Sequence, residues 1–445
     1  MWDLGLALSG GGSRAAAFHC GVVQALEELG YLEKVEAVST VSGGSLFGAA
    51  WLASKARGQT TSEALAAIQE ELERGFIGRS VRPALISALM PGTAYSRTQL
   101  IADTFDRVFF DGFALGDLPE QPALCINATI LNNGQVAKFS REGLSAWGIS
   151  VPGSTPSHLV PWRDLPLARA VAASAAFPIG LPPMVIHQQE FPEGTELTGS
   201  LSNADAIHLT DGGVLENLGV QTLLRSHRFS SWDMVVSDAG TRDEPWRDRK
   251  LLASLRGLGI WLLGGRILDR LMMIMNDKQN RWARQEIYGQ VVRSWLCESV
   301  RRGPRSETPG LCNLVSAEPQ RPRRKLFLVQ LSQDWESYVA SIPPWRLIEL
   351  ASAESPASPA EGDATAIENY LDQSGCDLSR AKAVYQEMGG REAAHKANAV
   401  ATGLHALSRS VIDLLRRHAA WQVHASFAVY GEPQLTRATQ GNPLE

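Results

Sequence analysis

Near its start the chain runs one pattern twice: a short, mostly apolar run, a glycine-rich turn, then apolar positions recurring at helical spacing. Leu4 to Leu8 lead into Gly10-Gly11-Gly12-Ser13-Arg14. Phe18, Val22, Leu26 and Leu29 then share one face of a helix over 13–29, with Gly30 as its C-cap. Val35 to Val41 lead into Ser42-Gly43-Gly44-Ser45, and Leu46, Phe47, Ala50 and Trp51 line a second helix over 43–57. Buried strands alternating with helices predict a parallel sheet with right-handed crossovers.

Further along, 62–74 reads as a surface helix and 76–97 as an irregular apolar stretch punctuated by Pro and Gly. Ala123 to Thr129, a turn at Asn132-Asn133-Gly134 and a strand to Phe139 form a hairpin. Residues 143–164 are loop-like, and 165–176 is a small-residue helix stopped by Phe177-Pro178 and Pro182-Pro183. A third apolar run, Ile207 to Leu209, leads into Asp211-Gly212-Gly213, and 234–239 is another buried strand. Asp248 to Val300 is patterned as helix, 324–332 returns to strand, 352–363 is a mobile low-complexity linker, and 377–388 and 401–428 are helical. The late strand argues for a single domain over 1–445. It comprises a core of 1–240 plus the strand near 324–332, a helical insertion at 245–320, a flexible loop at 352–363 and C-terminal helices over 377–428.

Strand-turn-helix junctions are where α/β enzymes present backbone N–H groups and nucleophiles. A serine hydroxyl attacks well only when a base removes its proton and donors receive the oxyanion. Ser42 stands at such a junction, at the positive end of a helix, with Gly43 and Gly44 relieving the turn. Thr40 replaces the first glycine of the usual Gly-x-Ser-x-Gly, and Ser39 and Ser45 are weaker candidates. Gly10, Gly11 and Gly12 can turn several amides into one concavity, a candidate oxyanion hole, with Arg14 adding positive charge or holding the loop. Asp211 is the candidate base, and Gly212 after it lets another backbone approach.

Each turn has an ordinary alternative. Gly10-x-Gly12-x-x-Ala15 also fits a dinucleotide fingerprint of an oxidoreductase, but the second strand ends in Ser42-Gly43-Gly44 and not in the acidic residue that holds a ribose. A strand-helix turn and an Asp-Gly turn need no chemistry singly. Together, in this order, they read as a Ser/Asp hydrolase. A Ser-His-Asp esterase needs one of nine histidines. His227, His395, His405, His418 and His424 follow Asp211, none of them after a strand in a catalytic-looking turn. His19 and His208 read as packing histidines, and Asp205 and Asp238 are fallback bases.

Composition narrows this further. With 445 residues, 44% apolar and 20% charged, the chain can bury a large core. A net charge of −5 gives no reason to expect nucleic-acid binding. The five cysteines, Cys20, Cys125, Cys297, Cys312 and Cys376, are scattered and form no CxxC, which argues against a disulfide framework or a zinc site and fits a reducing compartment. No secretory leader and no membrane-spanning run is visible, so the expectation is a cytoplasmic protein that meets membranes peripherally. Leu255, Leu258, Trp261 and Leu262, interspersed with Arg256, Arg266 and Arg270, suit an interfacial helix or a core helix with a charged outer face, and 76–97 is the other candidate lid.

The combination resembles the patatin-like phospholipase family. The likeness is carried by LALSGGGSRAAAFHCGV, VSTVSGGSLFGA and LTDGGVLENLG; ALCINATILNNGQVAKFS is similar to the family's central hairpin, and ARAVAASAAFPIGLPP to its small-residue helix and proline turn. It is good over 1–57 and 122–240, fainter over 324–332 and 398–421, and absent over 245–320 and 350–375. The resemblance implies a three-layer α/β/α fold with a mostly parallel central sheet and added C-terminal helices. It implies Ser42 as nucleophile and Asp211 as its base, a dyad without histidine, metal or cofactor, with Gly10, Gly11 and Gly12 as oxyanion donors. The implied activity is phospholipase A-type hydrolysis of carboxylic esters in phospholipids or other lipids, through a serine acyl-enzyme. The alternative on the same fold is a protein that senses lipid or a partner through the 245–320 helices without turnover.

Overall fold

The computed structural model describes residues 4–76, 96–153, 158–178, 180–225, 233–240, 274, 278–286, 289, 325–350, 359 and 362–431. Most of the expected 245–320 insertion, the 76–97 stretch apart from its ends, His227 and nearly all of the 352–363 linker lie outside the described residues.

Five strands form the parallel centre of the sheet: β1 (Leu4–Leu8), β2 (Val35–Val41), β3 (Ala123–Ile130), β11 (Asp233–Asp238) and β12 (Leu326–Gln330), in the order β12-β11-β1-β2-β3. Beyond β3 the sheet continues antiparallel through β4 (Gln135–Ser140), β5 (Gly143–Ala146) and β7 (Leu159–Pro161). Two more antiparallel strands, β8 (Met184–His187) and β10 (Ala206–Asp211), join through β3. β6 (Ile149–Ser150) and β9 (Glu196–Leu197) make a separate short pair. The stretch expected as loop, 143–164, thus carries three strands; each is four residues or shorter, too brief for a period to register.

Alternation along the central strands builds the layers. Leu6, Leu8, Val38, Val235 and Phe327 point into one core, while Ala7, Ala37, Met234 and Val236 point into another on the opposite side. The first is filled by α1 (Gly12–Glu28), α2 (Gly43–Ala56), α3 (Thr61–Arg74) and the last helix, α12 (Arg409–Tyr430). The second is covered by α6 (Val220–Arg225) and by Ala283. The helix expected on the surface at 62–74 therefore buries Ala64, Leu65, Ile68 and Leu72. Two further helices, α4 (Arg97–Phe105) and α5 (Leu167–Ser174), add Ile101, Phe105, Leu167 and Val171 to the first core.

α12 is buried on two sides. Its inner face meets α1 so closely that a methyl on Gly21 would stand 2.0 Å from the Arg416 carbonyl oxygen. Phe427 stacks on Phe327 with centroids 4.1 Å apart, and Gln422 pairs with both main-chain groups of Gln330. Its outer face holds Trp421, Ala425 and Val429 against α7 (Trp335–Ala340), α8 (Pro344–Leu350), α9 (Ala364–Gln373) and α10 (Ser379–Glu387), followed by α11 (Gly390–Asn398). The helix expected from 401 begins only at Arg409, capped by Ser408. Residues before it stay out of the helix because their main chain is spent elsewhere. Gly403 O accepts from Ser13 N at 2.7 Å, Leu404 O accepts from Phe76 N at 3.2 Å, and Leu407 N donates to Leu72 O at 3.0 Å. No described helix is long and apolar enough to cross a membrane.

Candidate active site

The first two glycine-rich turns sit at the carboxyl ends of β1 and β2, the edge where open α/β sheets bind ligands. Ser42 turns the chain from β2 into α2 at φ 52 and ψ −117. For a non-glycine residue that conformation costs roughly 1–3 kcal/mol and persists only where the surroundings over-determine it. Here its carbonyl accepts from the amides of Ser45 and Leu46, at 2.9 and 3.1 Å, and its own amide donates to Ser174 Oγ at 3.0 Å. Ser174 donates to the Asn127 carbonyl at 2.6 Å and contacts Ser45 Oγ at 2.9 Å, which donates to Thr40 Oγ1 at 2.9 Å.

Ser174 went unnoticed in the sequence. Its signal was being the sole hydroxyl in a helix of small and aliphatic residues. Replacing it with alanine strands the Ser42 amide and the Asn127 carbonyl. Ser174→Ala is expected to lower stability by about 1–3 kcal/mol, read from the denaturant midpoint. An unchanged midpoint would refute its role in holding the elbow. Ser39 and Ser45 are buried beneath this turn. Thr40 fits where a glycine is usual because the space is provided by the facing helix: a methyl on Gly48 would lie 2.9 Å from Thr40 Cγ2. Gly44 lets α2 rest on β1, since a methyl there would meet the carbonyl oxygens of Leu8 at 2.4 Å and Ser9 at 2.7 Å.

β3 brings Asp211 to Ser42. β2 and β10 lie end to end along one edge of β3, with Val41 opposite Asn127 and Asp211 opposite Ala128. Consecutive residues on a strand rise by about 3.3 Å, so the two segments converge on one point. The Ser42 hydroxyl lies close enough to the buried Asp211 carboxylate to lower its pKa. Oδ1 of Asp211 also accepts the Gly213 amide at 2.8 Å, and Gly212 packs on the Asn127 carbonyl, 2.4 Å from where a Cβ would be. Burial pushes the Asp211 carboxyl up to about 6, while the Ser42 hydroxyl and the Gly213 amide pull it down. A carboxylate so poised is ionised at neutral pH and still able to take a proton.

The glycine loop lies directly over the elbow. Gly11 and Gly12, at φ 139 and 61, adopt conformations that side chains rarely take, and the Gly12 peptide lies on the Cα of Gly43. The expectation of three oxyanion donors needs one correction. The Gly10 amide donates to the Asn217 carbonyl at 3.0 Å, so it is already committed; the amides of Gly11 and Gly12 precede the first intrahelical bond, Ala15 N to Gly11 O. Of the two roles open to Arg14, the structure bears on the second. Its guanidinium donates to the carbonyls of Ala239 and Val400, each at 2.8 Å, tying the loop to the end of β11 and to the chain before α12.

The other candidates lie elsewhere. His19 is fully buried, bonded to Ser237 Oγ at 2.7 Å and to the Ser9 carbonyl at 2.9 Å, and burial holds its ring neutral with a pKa of about 4. His418 is likewise pushed down to about 4 by burial, between the Leu331 carbonyl and Trp421. His424 pairs with Glu28 at 3.2 Å, His395 is in the last turn of α11, and His208 is exposed on β10. His405 sits beside Gly403. Asp205 precedes β10, at the opposite end of that strand from Asp211, and Asp238 forms an ion pair with Arg284 at 2.6 Å. Glu216 was also missed. It is buried and accepts the amides of Leu218, Gly219 and Gln221. Among the described residues no cluster of three or more His, Cys, Asp or Glu could hold a metal ion.

With this geometry in view, comparison with known proteins is direct. The family model described as patatin-like phospholipase matches residues 6–224. Residues 6–224 are a patatin-like phospholipase domain. This span holds both glycine-rich turns, the elbow, the small-residue helix and Asp211. No curated protein sequence matches the chain. Among solved structures, the human GIVD cytosolic phospholipase A2 in complex with methyl gamma-linolenyl fluorophosphonate is similar at 14% identity, covering 98% of this chain and 58% of that one, with a TM-score of 0.45. VipD from Legionella pneumophila is similar at 13% identity, covering 95% of this chain and 91% of that one, with a TM-score of 0.30. The chain therefore matches only about three-fifths of the length of the human enzyme. Outside the patatin-like domain lie β11, β12 and the helices from α7 to α12, of which α12 and the residues before it pack onto the domain's first helix and glycine loop.

Proposed function

We propose that this protein is a lipid acyl hydrolase of phospholipase A type that works through a Ser42–Asp211 dyad. The observation that carries the reading is the approach of the Ser42 hydroxyl to the buried Asp211 carboxylate, close enough to lower its pKa, at a strained strand-to-helix turn beneath a glycine loop.

The chemistry follows from the arrangement. Asp211 takes the hydroxyl proton as Ser42 Oγ attacks the ester carbonyl. The tetrahedral oxyanion rests on the amides of Gly11 and Gly12 at the positive end of α1. The C–O bond to the alcohol or lysolipid breaks as Asp211 returns the proton to the leaving oxygen. Water, deprotonated by Asp211, then attacks the acyl-enzyme, and Ser42 leaves with the proton as the fatty acid is released. No histidine is needed. The substrate is a lipid ester met at a membrane surface, in keeping with the family's name.

An alkyl fluorophosphonate is expected to label this protein on the peptide carrying Ser42, and mixed liposomes to yield free fatty acid and lysolipid. The labelling rate should climb as pH rises through about 6, because the base acts only when ionised and burial raises Asp211 to that value. Glu216, also raised by burial, to about 7, stretches the rise upward. Alanine at His208 or His405 should leave the labelling rate alone. Label on a residue other than Ser42, or a rate that follows one of these histidines, would defeat the dyad. Liposome binding with no fatty acid released would defeat the hydrolase reading.

A further inference from the structure

The residue that occupies the Gly10 amide is Asn217. Asn217 stands where three parts of the site meet. Its carbonyl holds the Gly10 amide at 3.0 Å. Its side-chain Oδ1 occupies the space in front of two glycines, 2.3 Å from a Cβ built on Gly10 and 2.7 Å from one built on Gly213. The first of those points is 3.2 Å from Ser42 Cβ, and the second is 3.1 Å from Asp211 Oδ1. One carboxamide thus fills the gap between the glycine loop, the nucleophile's turn and the base's turn.

Asn217 is itself held firmly. Glu216 Oε1 accepts the amides of Leu218 at 2.6 Å and Gly219 at 2.9 Å, and Oε2 accepts that of Gln221 at 3.2 Å. The amides of Leu215 and Glu216 return to the Gly212 carbonyl at 3.1 and 3.0 Å. Gly219, at φ 77, brings the far side of the loop onto the Ser39 carbonyl of β2. A buried carboxylate with three amide partners does not swing, so the residue between these anchors has little freedom.

We propose that Asn217, clamped by Glu216, is a positioning residue that sets the distance between the oxyanion loop and Asp211; this rests on the dyad reading above. Oxyanion donors and base must be held within about 0.5 Å of the productive arrangement. A spacer of fixed size between their two loops meets that demand. Removing it lets the loops close toward each other, and a misplacement of about 1 Å can cost about 10²-fold in rate.

The test is the fluorophosphonate reaction at Ser42, resolved into its binding constant and its maximal rate constant, for wild type, Asn217→Ala, Glu216→Gln, Gly10→Ala and the double variant Gly10→Ala with Asn217→Ala. Thermal unfolding is followed in parallel. Asn217→Ala and Glu216→Gln are expected to lower the maximal rate constant by about 10–10² with binding unchanged, in protein that is fully folded at the assay temperature. Gly10→Ala alone should be slow, because its methyl meets the Asn217 carboxamide. The double variant should react faster than Gly10→Ala, because the methyl then occupies vacated space. Such non-additivity is not produced by two independent structural defects. A wild-type rate constant in Asn217→Ala, or effects of the two substitutions that simply multiply, would overturn the positioning role. A wild-type protein that takes up no label at Ser42 would overturn the dyad itself.

Discussion

Asp211→Asn should lose ester hydrolysis by roughly 10⁴-fold or more in kcat, with Ser42→Ala at least as severe, because a unit of nucleophile and base fails when either member goes. The amide keeps the shape. Its oxygen can still accept the Gly213 amide, and its NH₂ can face the Ser42 hydroxyl, but it cannot take a proton. The same substitution should raise thermal stability at alkaline pH. The folded pKa of Asp211 is about 6, above its ordinary value of 3.8, because burial disfavours the charged form. A raised folded pKa means a contribution that is full below 3.8 and lost as pH rises through about 6. At alkaline pH the buried charge therefore costs roughly 3 kcal/mol, at about 1.4 kcal/mol per pKa unit. Asparagine removes that cost, so the gain in melting temperature should be large above neutrality and small at acid pH. Turnover comparable to wild type, or a gain in stability that does not depend on pH, would contradict the assignment.

The second large effect is expected at Gly43. A Cβ there would lie 2.3 Å from the carbonyl oxygen, 2.6 Å from the nitrogen and 2.9 Å from the carbonyl carbon of Gly12. All three atoms are main chain, so no side chain can turn aside. The backbone of Gly43 itself is ordinary helix, and the strain of an alanine there is all contact. Gly43→Ala must push apart the glycine loop and the Ser42 turn, the two parts proposed to offer the oxyanion donors and the nucleophile. Overpacking costs typically about 1–3 kcal/mol, occasionally more. Displacing catalytic groups by about 1 Å can cost about 10²-fold, and here two groups separate at once. Reaction of Ser42 with fluorophosphonate should fall by about that factor or more in whatever protein remains folded. A folded variant that reacts at the wild-type rate would mean that the two turns do not act together.

Much of the site was legible because its parts are local. Ser42 was identified by a strand, a serine and two glycines in sequence, and the strain that marks it, φ 52, belongs to that one residue. Gly11 and Gly12 were readable for the same reason. Asp211 was readable as a turn at the end of an apolar run, although its partner lies in another part of the chain. The missed residues act across space. Ser174 supports the elbow from a helix that nothing local connects to it. Asn217 and Glu216 follow Asp211 closely, yet their value depends on where Gly10 lies. The strands within 143–164 are too short to show a period, and the apolar spacing before α12 suits a helix although the main chain there bonds to the glycine loop.

The amino-acid order alone pointed to the strands and turns that carry Ser42, Asp211 and the glycine loop, and marked those residues as the candidates for chemistry. Those properties depend on backbone preferences and side-chain spacing among neighbours in the chain. Only the tertiary structure decided that β2 and β10 share one edge of β3, that the Gly10 amide is already taken, and that a carboxamide stands between the two loops. Those depend on which donors and acceptors meet once distant segments pack, and hydrogen bonds of that kind leave no periodic trace in the sequence.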